Sequence, residues 1–262
     1  MDILLYLLIG ALTGTVAGLL GVGGGLMVVP ALDLMLAPIM PHAVVMRVAA
    51  GSSLAIMIPT AFSACLSHQL RGNVLWRVWL RLLPGVLLGI LSGATVAHVI
   101  PSLWLRIAFG AFAIVIAYRM FRLVKPKLER RLPSLWGMTS VAFAIGAKSG
   151  ALGLGGGALS VPFLTRYNVP MHQARGTSSA LSLTIACIGS IAFAWHGAAH
   201  MGHIADASGY IYWPAVYSIA PASLCFAPLG TWLGNRVSVP LLKRVFALFL
   251  LAVAINMFWM SA

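Results

Sequence analysis

Residues 18–30 read GLLGVGGGLMVVP, and residues 150–162 read GALGLGGGALSVP. Gly18, Gly21, Gly23, Gly24, Gly25 and Pro30 map onto Gly150, Gly153, Gly155, Gly156, Gly157 and Pro162 with one constant shift of 132 positions, the mark of an internal duplication. Adjacent glycines inside an apolar run are poor helix formers, each about 1 kcal/mol less favourable than Ala. Both stretches therefore predict a helix that breaks and restarts. In a bilayer, breaks at matching positions of two halves point to a transport site.

The sequence around them is built for a bilayer. Of the 262 residues 61% are hydrophobic and 8% charged, with a mean hydropathy of +0.98, too apolar for a soluble domain. The fold class expected is an all-α polytopic membrane protein. Segment 3–36 is longer than one span needs and holds the first break. Helices follow at about 44–66, 80–100 and 103–121. The order then recurs as a broken element at 135–164 and helices at about 174–195, 210–233 and 241–259. Gly51-Ser52-Ser53 matches Gly176-Thr177-Ser178 at a shift of 125, and Pro84, Gly93 and Met120-Phe121 match Pro221, Gly230 and Met257-Phe258 at a shift of 137. The chain divides into repeat 1 (1–122), a basic linker (123–134) and repeat 2 (135–262), each repeat with four elements of which the first is broken. Gly85, Gly89, Gly93 and Ala97 recur every fourth position, a spacing that lets helices approach closely. The first residues carry no basic n-region and read as the first helix rather than a signal peptide.

The net charge of +13 falls mostly between apolar segments, where cytoplasmic anchors belong, so it does not imply nucleic acid. Arg119, Arg122, Lys125, Lys127, Arg130 and Arg131 form the one dense run and place the linker in the cytoplasm. Were each broken element to cross once, Arg236, Lys243 and Arg244 would face outward. A return pass in each broken element puts these charges inside and makes the repeats inverted, with the loop 196–209 external.

The paired Gly-rich motifs ending in Pro30 and Pro162, each followed by a Gly-Ser/Thr-Ser helix, resemble the sulfite exporter TauE/SafE family of membrane permeases over nearly the whole chain. The resemblance implies outward transport of small anions across the bacterial inner membrane, often sulfur-containing ones such as sulfite or sulfoacetate. The first half departs from the second in a longer loop, 31–45, and in Val16 opposite Lys148.

Lys148 sits in an apolar helix just before the second break, and a charge at that depth is costly unless a cavity or partner receives it. The carboxylates Asp2, Asp33, Glu129 and Asp206 fall at ends or in loops, so a substrate anion is the counter-charge expected for Lys148. The breaks at Gly23, Gly24 and Gly25 and at Gly155, Gly156 and Gly157 free N–H groups at the start of the next half-helix, an end that attracts anions. Ser52, Ser53, Thr177, Ser178 and Ser179 are candidate donors to oxyanion oxygens, and equally fit hydrogen bonds to helix backbones. Arg175 and Arg47 read as anion-attracting groups at the mouths or as interfacial anchors.

A second reading is a divalent-metal exporter using His196, His200, His203 and Asp206, whose spacing fits a metal-binding helix face. Solvated loop histidines fit it as well. Cys65, Cys187 and Cys225 are too far apart to form a metal or disulfide motif. No phosphate loop follows the glycines, and the adjacent Lys148-Ser149 cannot face one another on a helix, so neither an enzyme nor a cofactor is implied. The partners expected are a small anion and the lipid bilayer, and the sequence carries no signal for oligomeric state.

Overall fold

The computed structural model describes residues 3–21, 23–121, 132–199, 206–234 and 239–259. The first half of the chain holds α1 (Ile3–Leu20), α2 (Gly25–Leu36), α3 (Val45–Gln69), α4 (Trp76–Val99) and α5 (Ser102–Phe121). The second half holds α6 (Leu135–Leu152), α7 (Gly157–Arg166), α8 (Met171–Gly197), α9 (Trp213–Leu233) and α10 (Val239–Trp259). The broken elements are thus α1–α2 and α6–α7. Helices α3, α4, α5, α8 and α9 are each long and apolar enough to cross a membrane. Helix-internal prolines such as Pro30, Pro59, Pro84, Pro162, Pro221 and Pro228 are tolerated because packed neighbours re-satisfy the freed backbone groups.

Two parallel helix pairs frame the molecule. A methyl group at Gly85, Gly89 or Gly93 of α4 would run into the Thr139, Phe143 or Ala147 carbonyl of α6 in that order. Rising numbers on both helices mean that they run side by side in one direction. On α1, Gly10, Gly14 and Gly18 meet Ile219, Ser223 and Ala227 of α9 in the same sense. The every-fourth small residue thus lets two backbones touch, as in membrane helix dimers.

The central pair, α3 and α8, runs antiparallel. Gly51, near the start of α3, and Gly197, at the end of α8, both abut Tyr210, while Gly176 near the start of α8 abuts Asn73, just beyond α3. Two ends result. The basic end carries the α3–α4 loop with Arg71, the N-termini of α4, α6 and α8, and Gly234 after α9. The hairpin end carries the α4–α5 turn and a short β-hairpin in which Ala207–Ser208 (β1) pairs antiparallel with Ile211–Tyr212 (β2). The helix expected to begin at residue 210 therefore starts at Trp213, because Tyr210 to Tyr212 close the hairpin.

Asp33 requires a correction. It is not in a loop but inside α2, fully buried, and both of its oxygens accept from Arg106 of α5 (2.8 Å from Nε and 2.9 Å from Nη2). A buried carboxylate is tolerable only with such a paired, hydrogen-bonded cation. The linker expected at 123–134 lies, through residue 131, outside the described residues. After it, the Ser134 hydroxyl accepts from the Gly137 N–H and caps α6.

Candidate functional site

The two breaks meet at the centre. Gly21 and Gly153 both adopt left-handed backbone (φ +67° and +69°), which Gly alone adopts without steric cost. Gly21 donates its N–H to the Ala17 carbonyl and Gly153 its own to Ser149, so α1 and α6 end in the same glycine cap. From there each chain turns inward. A methyl at Gly25 would lie 2.7 Å from the Gly153 carbonyl oxygen and 3.0 Å from the Leu154 Cα. Gly155 and Gly157 are buried beside them, and a methyl at Gly156 would meet the Ile185 Cδ1 at 2.6 Å.

Restarting a helix exposes its first N–H groups. In α2 the first helical bonds run from Met27 and Val28 to the Gly24 carbonyl, and in α7 from Leu159 and Ser160 to that of Gly156. The N–H groups of Gly25, Leu26, Gly157 and Ala158 precede these bonds, at the positive end of each half-helix dipole. Beside them, Gly23 lies against Met57 of α3 and Ser182 of α8, and Gly24 against Thr13 of α1. The hydroxyls of Thr13 and Ser182 are buried without a hydrogen-bond partner among the described residues. Both stand outside the Gly-Ser/Thr-Ser motifs, although Ser182 lies one helical turn after Ser178 on the same face of α8.

The hydroxyls singled out from the sequence chiefly tie the two repeats together. Ser53 donates to the Gly153 carbonyl at 3.0 Å, and Ser178 donates to the Gly21 carbonyl at 2.9 Å. Ser52 accepts the Tyr212 N–H at 2.9 Å, and Thr177 accepts the Leu75 N–H at 3.0 Å. Each bond crosses from one repeat to the other. Ser179 donates to the Arg175 carbonyl within its own helix.

Of the candidate cations, the fold brings Arg175 to a break and turns Lys148 outward. Arg175 is 4% exposed. A methyl at Gly21 would lie 2.9 Å from its carbonyl oxygen, and its Nη1 donates to the Gly234 carbonyl at 3.0 Å. Its Nε and Nη2 have no hydrogen-bond partner among the described residues. Lys148 instead is exposed on the outer side of α6, lining an apolar groove with Phe143, Gly93 of α4 and Trp104 of α5. Arg47 lies at the hairpin end, where its Nη2 donates to the Ile100 carbonyl at 2.9 Å and its guanidinium sits 5.9 Å from the Tyr210 ring centroid.

His196 ends α8 at the hairpin end, hydrogen-bonded to Thr95 (3.2 Å) and stacked on His98 (centroids 5.2 Å apart). Among the described residues no three His, Cys, Asp or Glu side chains converge as metal ligands. His200 and His203 lie outside the described residues.

Comparison with known proteins gives a consistent answer. The family described as "Sulfite exporter TauE/SafE" matches residues 6–257. A Haemophilus influenzae protein named "Probable membrane transporter protein" is 36% identical over 261 residues, covering 98% of each chain. A Xylella fastidiosa protein of the same name is 29% identical, covering 96% of this chain and 93% of its own. The Bacillus subtilis "Probable membrane transporter protein YunE" is 24% identical, covering 94% and 90%. No solved structure matches.

Proposed function

Because the chain belongs to the sulfite exporter TauE/SafE family, it is a multi-pass membrane transporter, and we propose that its cargo is a small sulfur-containing anion such as sulfite or a sulfonate, carried out across the bacterial inner membrane. One observation carries the anion reading: the Nε–Nη2 edge of buried Arg175 donates to no partner among the described residues. The same edge of Arg106 holds both oxygens of Asp33, which shows within this chain what such a fork is shaped to grip. Asp33 is thereby already neutralised and offers nothing to a cation.

On this reading the anion passes from Arg175 to the paired breaks, where the N–H groups of Gly25, Leu26, Gly157 and Ala158 and the hydroxyls of Thr13 and Ser182 receive it. Beyond Arg175, the described lining of the path to the breaks is neutral, helix N-termini and hydroxyls, which favours release. The opposed directions of α3 and α8 support inverted repeats. The basic end is then cytoplasmic and the hairpin end external, as the positive-inside rule requires of Arg71, Arg77 and Arg81.

Uptake by proteoliposomes of sulfite, sulfoacetate, sulfate, nickel and cobalt tests the assignment. Flux of sulfite or sulfoacetate above that of empty vesicles is the result expected. Flux of nickel or cobalt alone would replace the anion with a divalent metal and return attention to His196 and Asp206.

A further inference from the structure

Beside Arg175 the fold buries a second polar group that it leaves without a partner. His68, in the last turn of α3, is 4% exposed, and neither ring nitrogen makes a well-formed hydrogen bond among the described residues, although the Gly18 backbone lies close by. The charges that act on it are those of Arg175 and His172 on α8 and of Arg71 in the α3–α4 loop, with no carboxylate among them. Arg71 donates its Nη1 to the Thr231 carbonyl of α9. Burying two adjacent polar side chains with unmade hydrogen bonds is costly unless a ligand completes them. An oxyanion does so: two oxygens fit the Nε–Nη2 edge of Arg175, and a third accepts from the imidazole.

We propose that His68 is the second ligand of the transported anion and takes up a proton as the anion binds, so that the two cross together. The proposal rests on the anion reading above. A charged imidazole beside Arg175 and Arg71 is repelled by both, while an anion seated among them supplies the counter-charge that favours it. One N–H bond forms at His68 on loading, with the proton taken from water at that side, and the same bond breaks on release. No oxidation or reduction is involved. The duplication supplies an internal comparison, because the position matching His68 at the shift of 125 is Phe193, and Arg175 matches Ala50. The pair is therefore built at the basic end alone.

The test uses methanesulfonate and sulfate, neither of which titrates between pH 5 and 8, added to purified wild-type protein in weakly buffered detergent solution with a pH-sensitive dye. At anion saturation wild type should take up about one proton per protein. His68→Gln and His68→Phe should still bind anion but reduce this uptake at least about fivefold. In proteoliposomes an inward methanesulfonate gradient should acidify the lumen for wild type and not for the variants. Anion binding with no proton uptake by wild type, or undiminished uptake by both variants, overturns the coupling and leaves the anion reading intact. Binding of neither anion by wild type overturns the anion reading itself.

Discussion

At the two ends of the α3–α8 crossing the backbone is duplicated and the charge is not. Gly51 abuts Tyr210 at the hairpin end as Gly176 abuts Asn73 at the basic end. Ser52 accepts from Tyr212 as Thr177 accepts from Leu75, and Ser53 holds Gly153 as Ser178 holds Gly21. Each partner is displaced by the same shifts that relate the repeats in the sequence. Yet the cap glycine packs on Ala50 at the hairpin end and on Arg175 at the basic end, and Phe193 stands where His68 would recur. Steric fit and hydrogen-bond satisfaction constrain both copies. On the anion reading proposed above, charge has to act only where the anion is first bound, and an unequal pair of mouths gives a carrier two different binding environments.

The largest effect should come from the cap glycines, and it should be unequal. A methyl at Gly153 would collide with the Cα, carbonyl and Cβ of Ala50, whereas one at Gly21 stands 2.9 Å and 3.1 Å from the Arg175 carbonyl and Cα. Both substitutions also force an alanine into left-handed backbone, at about 1–3 kcal/mol. Overpacking adds about 1–3 kcal/mol more where the backbone cannot yield. Gly153→Ala should therefore lose about 3–5 kcal/mol or fail to fold, and Gly21→Ala about 2 kcal/mol, read from thermal unfolding in detergent. Equal losses would mean that the hairpin end is not the tighter of the two.

The mouths should separate next in anion affinity. Arg175→Met removes a buried Nε–Nη2 fork that meets no acceptor among the described residues, and a loss of about tenfold or more, about 1.4 kcal/mol, is expected. Arg47→Met removes a guanidinium already engaged with the Ile100 carbonyl and the Tyr210 ring, and should cost less than about threefold. Isothermal titration with sulfite on the two purified variants measures both. A larger loss for Arg47 would place the high-affinity mouth at the hairpin end.

What the sequence disclosed follows the same division. The breaks, the repeat order and the small-residue stripe were legible because each leaves a periodic trace: glycines at one shift, or residues four apart on α4. The Gly-Ser/Thr-Ser motif was legible as important, but its role was not, since whether a hydroxyl meets a ligand or a carbonyl depends on what packs across from it. Asp33 looked like a loop residue because Arg106, its partner, lies 73 positions away. Nothing in the linear chain marks His68 as buried, because the packing that covers the last turn of α3 is a tertiary fact. Lys148 stood out as a lone cation in an apolar helix, and nothing in a linear chain tells which face of that helix turns inward.

Lys148 supplies the smallest expected effect and the sharpest contrast. A cation in the middle of an apolar segment costs about 2.5–3.5 kcal/mol at a bilayer centre unless it is received by protein or water, which made it the natural counter-charge for a substrate. The fold turns it instead to the exposed side of α6, beside Trp104 and Phe143, while the breaks lie on the inner side of the same helix. Its counterpart in repeat 1 is Val16, on α1, so the matching position does without charge. Lys148→Met keeps the length of the side chain and its apolar stem. It should leave sulfite affinity within about twofold of wild type, against the tenfold expected for Arg175→Met, and should not lower the unfolding temperature. A tenfold loss at Lys148 with little at Arg175 would reverse the argument, moving the anion's path from the α3–α8 crossing to the groove between α4, α5 and α6.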